Sequence, residues 1–593
     1  MSVRAPVEDV AMREPVLTIE GLSVVLHRDG HANTVLDNIG FDVAPGEIIA
    51  IVGESGSGKS TLGLAVQGLL PREHRPWIRG SIRLDGTEIV GAPAHSLQAA
   101  RRSLVRAISQ DPMGALNPTM TIRNQLRESA DNTDDVMFDW LRRTGLADPE
   151  RIAASFPHRL SGGQRQRVLI AMAMMARPKV LIADEPTTAL DASIQAQILA
   201  LLQDFAREQD TAIVFITHDL GIAAAFADRL IVLHSGRLVE IGATGDVIEK
   251  PGHPYTAGLL AARFDLTTDR HRPLPTLPAA RRPIGGMSQG CNYASRCPIA
   301  TEDCKVRVPP LQPQHAHSGA VACFRAAQMP PPDRHLATPW PVRSTIRNDI
   351  ALQLSQVRKR YPVGPRGLRA ARYRDVLTSV DLSVDHGECV ALLGESGAGK
   401  STLLRIAAGL LAPDIGAVFR SDNTPQVIFQ DAVSSLTPWL TIGEQVGERL
   451  RRSDICARQH ARRIDETLEL VELDAALKNA LPAELSVGQC QRAVIARAVA
   501  VPPKLLLCDE PISAMDVSLA AAILNLFGRL RRRLDMAMLF VTHEQAAARI
   551  VADRIAVLKD GVIVMDNDPD HLIVAVPAPL AAPRQSQAQG GVR

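Results

Sequence analysis

The chain has 593 residues, too many for a single hydrophobic core, so two or more domains are expected. Apolar residues make up 46% and charged residues 22%, the proportions of ordinary globular protein rather than of disordered chain. A formal charge of +2 and 3% aromatics argue against a nucleic-acid partner, which calls for a strong basic field or a base-stacking platform.

In chain order, Met1 to Arg13 mixes Arg, Glu and Asp without an apolar centre and does not read as a secretory signal. An apolar run, Ile48 to Val52, leads into Gly53-Glu54-Ser55-Gly56-Ser57-Gly58-Lys59-Ser60-Thr61. This fits the phosphate-loop pattern Gly-x4-Gly-Lys-Ser/Thr in its strand–loop–helix context. The glycines let backbone N–H groups wrap phosphates, the lysine answers their charge, and the Ser60 hydroxyl can hold Mg2+. Farther on, Leu160-Ser161-Gly162-Gly163-Gln164 precedes an arginine-rich helix expected over Arg165 to Arg177. Serine and glycines at a helix start make an anion seat, although Ser161 is locally also an ordinary N-cap.

Val180 to Ala183 and Ile213 to Ile216 read as buried parallel strands. The first runs into Asp184-Glu185, where the aspartate is placed to reach Mg2+ and the glutamate to orient and deprotonate a water. Alone, that pair reads as a solvated turn; 125 residues behind a phosphate-loop lysine it does not. The second strand leads to Thr217-His218-Asp219. A lone histidine there is more often a satisfied surface residue, a reading that its in-register repeat below weakens. No run reaches 18 apolar residues; Val168 to Ala176 is flanked by arginines and has core-helix length, so no spanning helix is predicted. A cytosolic protein is expected, with any membrane role supplied by partner subunits.

From His271 to Thr345 there are 13 prolines, a density that excludes a helix or a central strand and reads as a semi-extended connector with one locally stapled knot. Four of the eight cysteines, Cys291, Cys297, Cys304 and Cys323, lie inside it. Their spacing, C-x5-C-x6-C-x18-C, is neither the tight zinc pattern nor a ferredoxin run. Cys389, Cys456, Cys490 and Cys508 are scattered through the second half, and disulfides are not expected in a reducing compartment. His315 and His317 read as solvated loop residues.

The elements then return. Val390 to Leu393 leads into Gly394-Glu395-Ser396-Gly397-Ala398-Gly399-Lys400-Ser401-Thr402, with Lys400 following Lys59 by 341 residues. Leu485-Ser486-Val487-Gly488-Gln489 keeps the serine and one glycine and puts valine in place of the other. Leu505 to Cys508 leads into Asp509-Glu510, and Met538 to Val541 into Thr542-His543-Glu544. The second copy is shorter between Lys400 and Gln430 than the first between Lys59 and Gln110, lacking the counterparts of Ile82 to Thr87 and of a helix-like Leu97 to Arg106. The fold class is therefore α/β, two tandem P-loop NTPase cassettes with a Pro/Cys-rich connector. Domains are expected at 1–250 (first cassette), 251–345 (extension and linker), 346–570 (second cassette) and 571–593 (disordered tail).

The order of phosphate loop, Gln110, Leu-Ser-Gly-Gly-Gln, Asp184-Glu185, Thr188-Ala189-Leu190-Asp191 and His218 resembles an ATP-binding cassette of the ABC transporter superfamily. So does the second set, with Gln430, Leu485 to Gln489, Asp509-Glu510, Ser513-Ala514-Met515-Asp516 and His543. The resemblance spans nearly all of Leu17 to Glu240 and Leu352 to Met565. It implies two ATP molecules sandwiched head to tail, each between the phosphate loop of one cassette and the signature of the other. It makes Glu185, Glu510, His218 and His543 catalytic. ATP would be bound by Gly53, Ser55, Gly56, Gly58, Lys59, Ser60, Thr61, Gln110, Ser161, Gly162, Gly163 and Gln164, and by Gly394, Ser396, Gly397, Gly399, Lys400, Ser401, Thr402, Gln430, Ser486, Gly488 and Gln489. Mg2+ would meet Ser60, Gln110 and Asp184, or Ser401, Gln430 and Asp509. Tyr361 fits the place of an adenine-stacking aromatic in the second half, whereas the first half offers Leu26 or His27.

Gln110 to Pro118 and His253-Pro254-Tyr255-Thr256 with Leu259-Leu260 resemble elements of oligopeptide, dipeptide and nickel importers. The second half lacks the His-Pro-Tyr element. The whole is similar to the two ATPase subunits of a peptide importer fused into one chain. The resemblance implies two transmembrane permease subunits, an extracytoplasmic solute-binding protein, and a peripheral place on the cytoplasmic face of the membrane, with membrane contact only through partners and no nucleic acid. It also associates the four clustered cysteines with a 4Fe-4S iron–sulfur cluster; zinc and free thiols stay open beside it. Nickel or metallophore import remains an alternative, because the cassette motifs do not see the solute. A soluble twin-cassette ATPase of ribosomes or DNA is a different class, disfavoured by the proline-rich linker and the near-neutral charge.

Overall fold

A computed structural model describes residues 14–28, 31–129, 133–187, 192–278, 289–314, 319–329, 338–341, 349–363, 372–395, 397–422, 424–513 and 515–571. Met1 to Arg13, Thr188 to Asp191, His315, His317, Ser396, Ala514 and the tail after Pro577 lie outside them. The chain divides into two compact units, one built chiefly on residues up to 261 and 277–333, the other on 262–276 and 334–578.

In the first unit a parallel core forms because residues 180–183, Ala212–Ile216 and Ile48–Val52 are uninterrupted apolar runs, buried on both faces. Val105–Ile108, Val180–Asp184, Ala212–Ile216, Ile48–Val52 and Arg229–His234 lie side by side in that order. Arg237–Ala243 then pairs antiparallel with Arg229–His234. An antiparallel sheet of His31–Val43, Leu17–Arg28, Trp77–Leu84 and Thr87–Glu88 packs its apolar side onto the same core. The phosphate loop leaves the C-terminal end of the central strand Ile48–Val52 and enters helix Lys59–Val66, the crevice position in which open α/β sheets bind ligands.

The second unit repeats this plan in one nine-stranded sheet, with Cys389–Leu393 central and flanked by Ala537–Val541 and Arg554–Lys559. Its outer layer is thinner. Only Ile415–Arg420 stands where the first unit has Trp77–Leu84, Thr87–Glu88 and helix Ala94–Ser103. The stretch expected to be helical from Leu97 to Arg106 ends its helix at Ser103, and its last residues start the strand Val105–Ile108.

The proline-rich segment is more structured than its composition suggested. Helix Glu302–Val306 forms, and Gln312–Pro313 and Ala320–Val321 add two short strands to the first unit's sheet. Pro313 is tolerated because it stands on the outermost strand. Upstream, residues 262–276 pack within the second unit. Leu274 is buried in that unit's core, and the Asn525 side chain donates to its carbonyl and accepts from its N–H, both at 2.8 Å. Arg270 and Arg549 add hydrogen bonds to the Ala552 and Thr268 carbonyls.

Candidate nucleotide sites

Both phosphate loops take the shape that a nested anion requires. Gly58 and Gly399 sit at φ +103° and +106° before the helix, a region open to glycine. At Gly53, φ +150°, a Cβ would lie 2.1 Å from the Leu233 carbonyl oxygen, so the close strand-to-loop approach itself demands glycine. Lys59 Nζ donates to the carbonyls of Gly53 at 2.7 Å and Glu54 at 2.9 Å. Lys400 repeats this with Gly394 at 2.7 Å and Glu395 at 3.0 Å. Burial lowers the Lys400 ammonium pKa, against the charges of Glu510 and Asp509. Ser55, Gly56, Ser60 and Thr61 lie within the first loop and the helix start, as Gly397, Ser401 and Thr402 do in the second.

Asp184 and Asp509 end buried strands facing these loops. Burial raises both carboxyls above the usual range, opposed by hydrogen bonds from Ser60 and Ser401. Ser401 Oγ donates to Asp509 Oδ1 at 3.2 Å. Asp184 Oδ1 is buried without a hydrogen-bond partner. A Ser hydroxyl beside an under-satisfied carboxylate at a phosphate loop fits a Mg2+ that takes its other ligands from phosphate and water.

Glu185 and Glu510 both adopt φ +47°, left-handed backbone that is uncommon for a residue with a side chain. Each N–H donates to the neighbouring strand, Glu185 to Ile216 O and Glu510 to Val541 O, both at 2.9 Å. The twist turns each carboxylate toward its histidine and glutamine. His218 Nδ1 lies 2.8 Å from Glu185 Oε1, and Gln110 Nε2 donates to Oε2 at 2.9 Å. In the second copy His543 Nδ1 lies 3.2 Å and Gln430 Nε2 3.4 Å from Glu510 Oε2. Burial would raise the Glu185 carboxyl, but the His218 hydrogen bond and charge bring it below the usual range. Glu510 is lowered first by the His543 hydrogen bond. Burial pulls His218 down, yet Glu185 carries it above its ordinary value; Glu510 does the same for His543.

The two signatures start helices Gly162–Met175 and Val487–Val499 with reciprocal caps. Ser161 Oγ accepts from Gln164 N–H at 3.3 Å while Gln164 Oε1 accepts from Ser161 N–H at 3.0 Å. Ser486 and Gln489 match this at 3.3 and 2.9 Å. A Cβ at Gly162 would meet nothing within 4 Å, and Gly162 is not at positive φ. Val487, 46% exposed, is therefore unstrained at the first helical position. What it changes is the outward face, where a branched side chain stands exposed in place of a glycine. Tyr361, 38% exposed, lies on the outer strand Ile350–Val363. Tyr373, missed in the sequence, lies nearby on the paired strand with the Arg360 guanidinium 4.8 Å from its ring. His27 Nδ1 contacts the Arg75 carbonyl at 3.1 Å, and Leu26 packs on the core.

The cysteine segment also reaches the first site. Cys291, Cys297, Cys304 and Cys323 line one pocket with His253, Tyr293 and Phe324. All eight cysteines are free thiols. Burial and the neighbouring thiols push Cys323 up to about 11, so it is protonated at neutral pH. Four thiols about an apolar pocket are the right donors for a soft metal centre, but among the described residues no three potential ligands stand in a ligating arrangement.

Comparison with known proteins agrees with this construction. A phosphate loop, a capped signature and a Glu–His pair, twice over on α/β cores, define a tandem ATP-hydrolysing cassette protein. The ABC transporter family matches residues 36–188 and 377–513, and the oligopeptide/dipeptide transporter C-terminal region matches 239–304. The oligopeptide transport ATP-binding protein OppD of Mycobacterium tuberculosis is 35% identical, over 96% of this chain and 100% of that protein. The glutathione import ATP-binding protein GsiA of Escherichia coli K12 is 34% identical, over 97% and 91%. A solved structure described as RNase-L Inhibitor covers 92% of this chain and 90% of its own at TM-score 0.54 and 16% identity, a likeness of fold alone. This chain belongs to the ATP-binding proteins of the ABC transporter family and is an ATPase.

Proposed function

We propose that the chain is an ATP-hydrolysing subunit of an importer for oligopeptides or dipeptides, driving separate transmembrane permease subunits fed by an extracytoplasmic binding protein. The observation that carries this reading is the joining of two nucleotide sites with an oligopeptide/dipeptide-type extension, in a chain that matches peptide and glutathione transport relatives end to end. Among the described residues no helix is long and apolar enough to cross a membrane; the proposal assigns the membrane path to partner subunits.

In the proposed chemistry, each phosphate loop and its lysine hold the β- and γ-phosphates, and Ser60 with Asp184, or Ser401 with Asp509, hold Mg2+. Water attacks the γ-phosphorus in line as the bond to the β–γ bridging oxygen breaks, giving ADP and inorganic phosphate. Glu185 or Glu510 accepts the water's proton. Being ionised and a weak base, the carboxylate acts more by aiming the water than by pulling its proton, which suits a loose phosphoryl-transfer transition state. His218 and His543, drawn toward the protonated form, orient the glutamate and face the γ-phosphate. Each signature completes the opposite site, and Tyr361 supports adenine in the second. The thiol pocket is read as a structural iron–sulfur centre, which would tie down a segment poor in apolar surface.

Purification in mild detergent tests the proposal, with mass spectrometry of co-purifying permeases and bound solute, followed by ATP-dependent peptide uptake in vesicles. Co-purifying ribosomes, or nickel accumulation without peptide uptake, overturns it. For the pocket, anaerobically prepared protein should be brown, absorbing broadly near about 400 nm, and Cys297→Ser should lose the colour but keep ATP binding. Colourless protein with neither iron nor zinc leaves thiols alone.

A further inference from the structure

Glu54, the second residue of the first phosphate loop, is held from three directions. Its carboxylate receives both arms of the Arg296 guanidinium, Nη1 to Oε2 and Nη2 to Oε1, each at 2.7 Å. Its N–H donates to the hydroxyl of Tyr255, a fully buried side chain, at 2.7 Å. Its carbonyl takes one of the hydrogen bonds of Lys59 and the N–H of Ser57. Arg296 is 6% exposed and Glu54 22%, so this bidentate pair is largely shielded from water. Arg296 also donates to the Pro278 carbonyl at 2.7 Å and lies over the Tyr293 ring. Tyr293 in turn packs on Tyr255, His234 and His253. Arg296 directly precedes Cys297, and Tyr293 follows Cys291 by two residues. The cysteine pocket and the phosphate loop thus share one set of side chains.

Among the described residues the second cassette shows no equivalent. Glu395 is exposed, and among the described residues neither its N–H nor its carboxylate has a partner. Its carbonyl still accepts from Lys400. Gly399 repeats the backbone of Gly58, but among the described residues the external brace is found on the first loop and not on the second.

We propose that Arg296 is a positioning residue for the first nucleotide site: with Tyr255 it fixes Glu54, and through Glu54 the carbonyls that carry Lys59, so the cysteine-bearing knot sets nucleotide affinity at that site alone. This rests on the assignment of both loops as ATP sites. A loop whose turn is pinned presents its N–H groups to phosphate already ordered, whereas an unpinned loop must be ordered by the ligand.

The test measures binding of a fluorescent ATP analogue with Mg2+ to the full chain. Lys400→Ala leaves the first site as reporter, and Lys59→Ala leaves the second. With the first site reporting, Arg296→Met and Glu54→Gln should each weaken binding on the order of tenfold or more. The double variant should be no weaker than either single one, and Arg296→Lys should recover part of the loss. With the second site reporting, Arg296→Met should leave affinity unchanged. In the otherwise unaltered chain, KM for ATP should rise more than kcat falls, because Glu185 and His218 are untouched. Unchanged first-site affinity, additive losses or equal losses at both sites overturn the proposal. If Arg296→Met does not fold, Arg296→Lys and Glu54→Gln read the same quantity. Undiminished analogue binding in the Lys59→Ala, Lys400→Ala double variant would instead refute the ATP-site assignment itself.

Discussion

The two cassettes share a plan and differ in which parts are reinforced. The first has a full outer layer, an intact Ser161-Gly162-Gly163-Gln164 signature and a phosphate loop braced by Arg296, but no aromatic at the place of Tyr361. The second has Tyr361 and a loop for which the described residues show no such brace, and its signature carries Val487. Glu185, too, is held more tightly than Glu510, at 2.8 and 2.9 Å against 3.2 and 3.4 Å. If signatures complete opposite sites, each site joins a strong part of one cassette to a weak part of the other.

The largest effect should come from the glutamates. Glu510→Gln is expected to lower ATP turnover by a factor on the order of 10² or more with ATP binding retained. Glu185→Gln should cost less, because in the proposed pairing its site is completed by the signature that carries Val487. A larger loss from Glu185→Gln in the assembled transporter reverses that ranking, and equal losses mean tight coupling. Near-normal hydrolysis in both single variants and in the double would remove the catalytic assignment.

Acid should separate the cassettes next. His234 and His253 are buried in the first unit, and burial drives each down to about 3. In the unfolded chain they titrate near about 6.5. Below that pH the unfolded state takes up protons that the folded state refuses, so their contribution to stability is present above about 6.5 and lost progressively toward about 3. In the second unit His543 is instead held above its ordinary value by its hydrogen bond to Glu510. Thermal melts between pH 7 and 4 should show the first unit's transition falling faster, and parallel shifts would count against it.

Val487→Gly should raise turnover at the first site by up to roughly tenfold, and Gly162→Val should depress the second by a similar factor. Because the valine is not strained in its own cassette, neither change should move the melting temperature appreciably. The smallest effect is at adenine. Tyr361→Ala should weaken nucleotide binding at the second site by about 1 kcal/mol, and Leu26→Tyr should strengthen the first by less. Fluorescent-nucleotide titration of the singly silenced chains reads both.

Much of this was legible in the sequence because the chemistry is local. A phosphate loop, its strand and its helix occupy consecutive residues, and buried parallel strands announce themselves as unbroken apolar runs. The Glu185–His218 contact was reachable for the same reason, both residues being strand ends repeated in register. The brace was not. Arg296 and Glu54 are 242 positions apart, and an arginine between two cysteines in a proline-rich stretch carries no mark of its partner. The left-handed backbone of Glu185 and Glu510 was equally hidden, because nothing in an Asp-Glu dipeptide announces its φ. The connector's short strands were missed because proline density reports where regular structure cannot run long, and two-residue strands escape that limit.

Leu274 and its two hydrogen bonds to Asn525 have a practical consequence for dissecting this fusion. A second half cut to begin at residue 346, where its own motifs begin, would leave a hole lined by apolar side chains and an asparagine with both partners gone. Such a fragment should be aggregation-prone unless residues 262–276 travel with it. Those residues follow directly on helix Pro254–Ala262 of the first half, so the two halves cannot be swapped with single-cassette relatives by one clean cut.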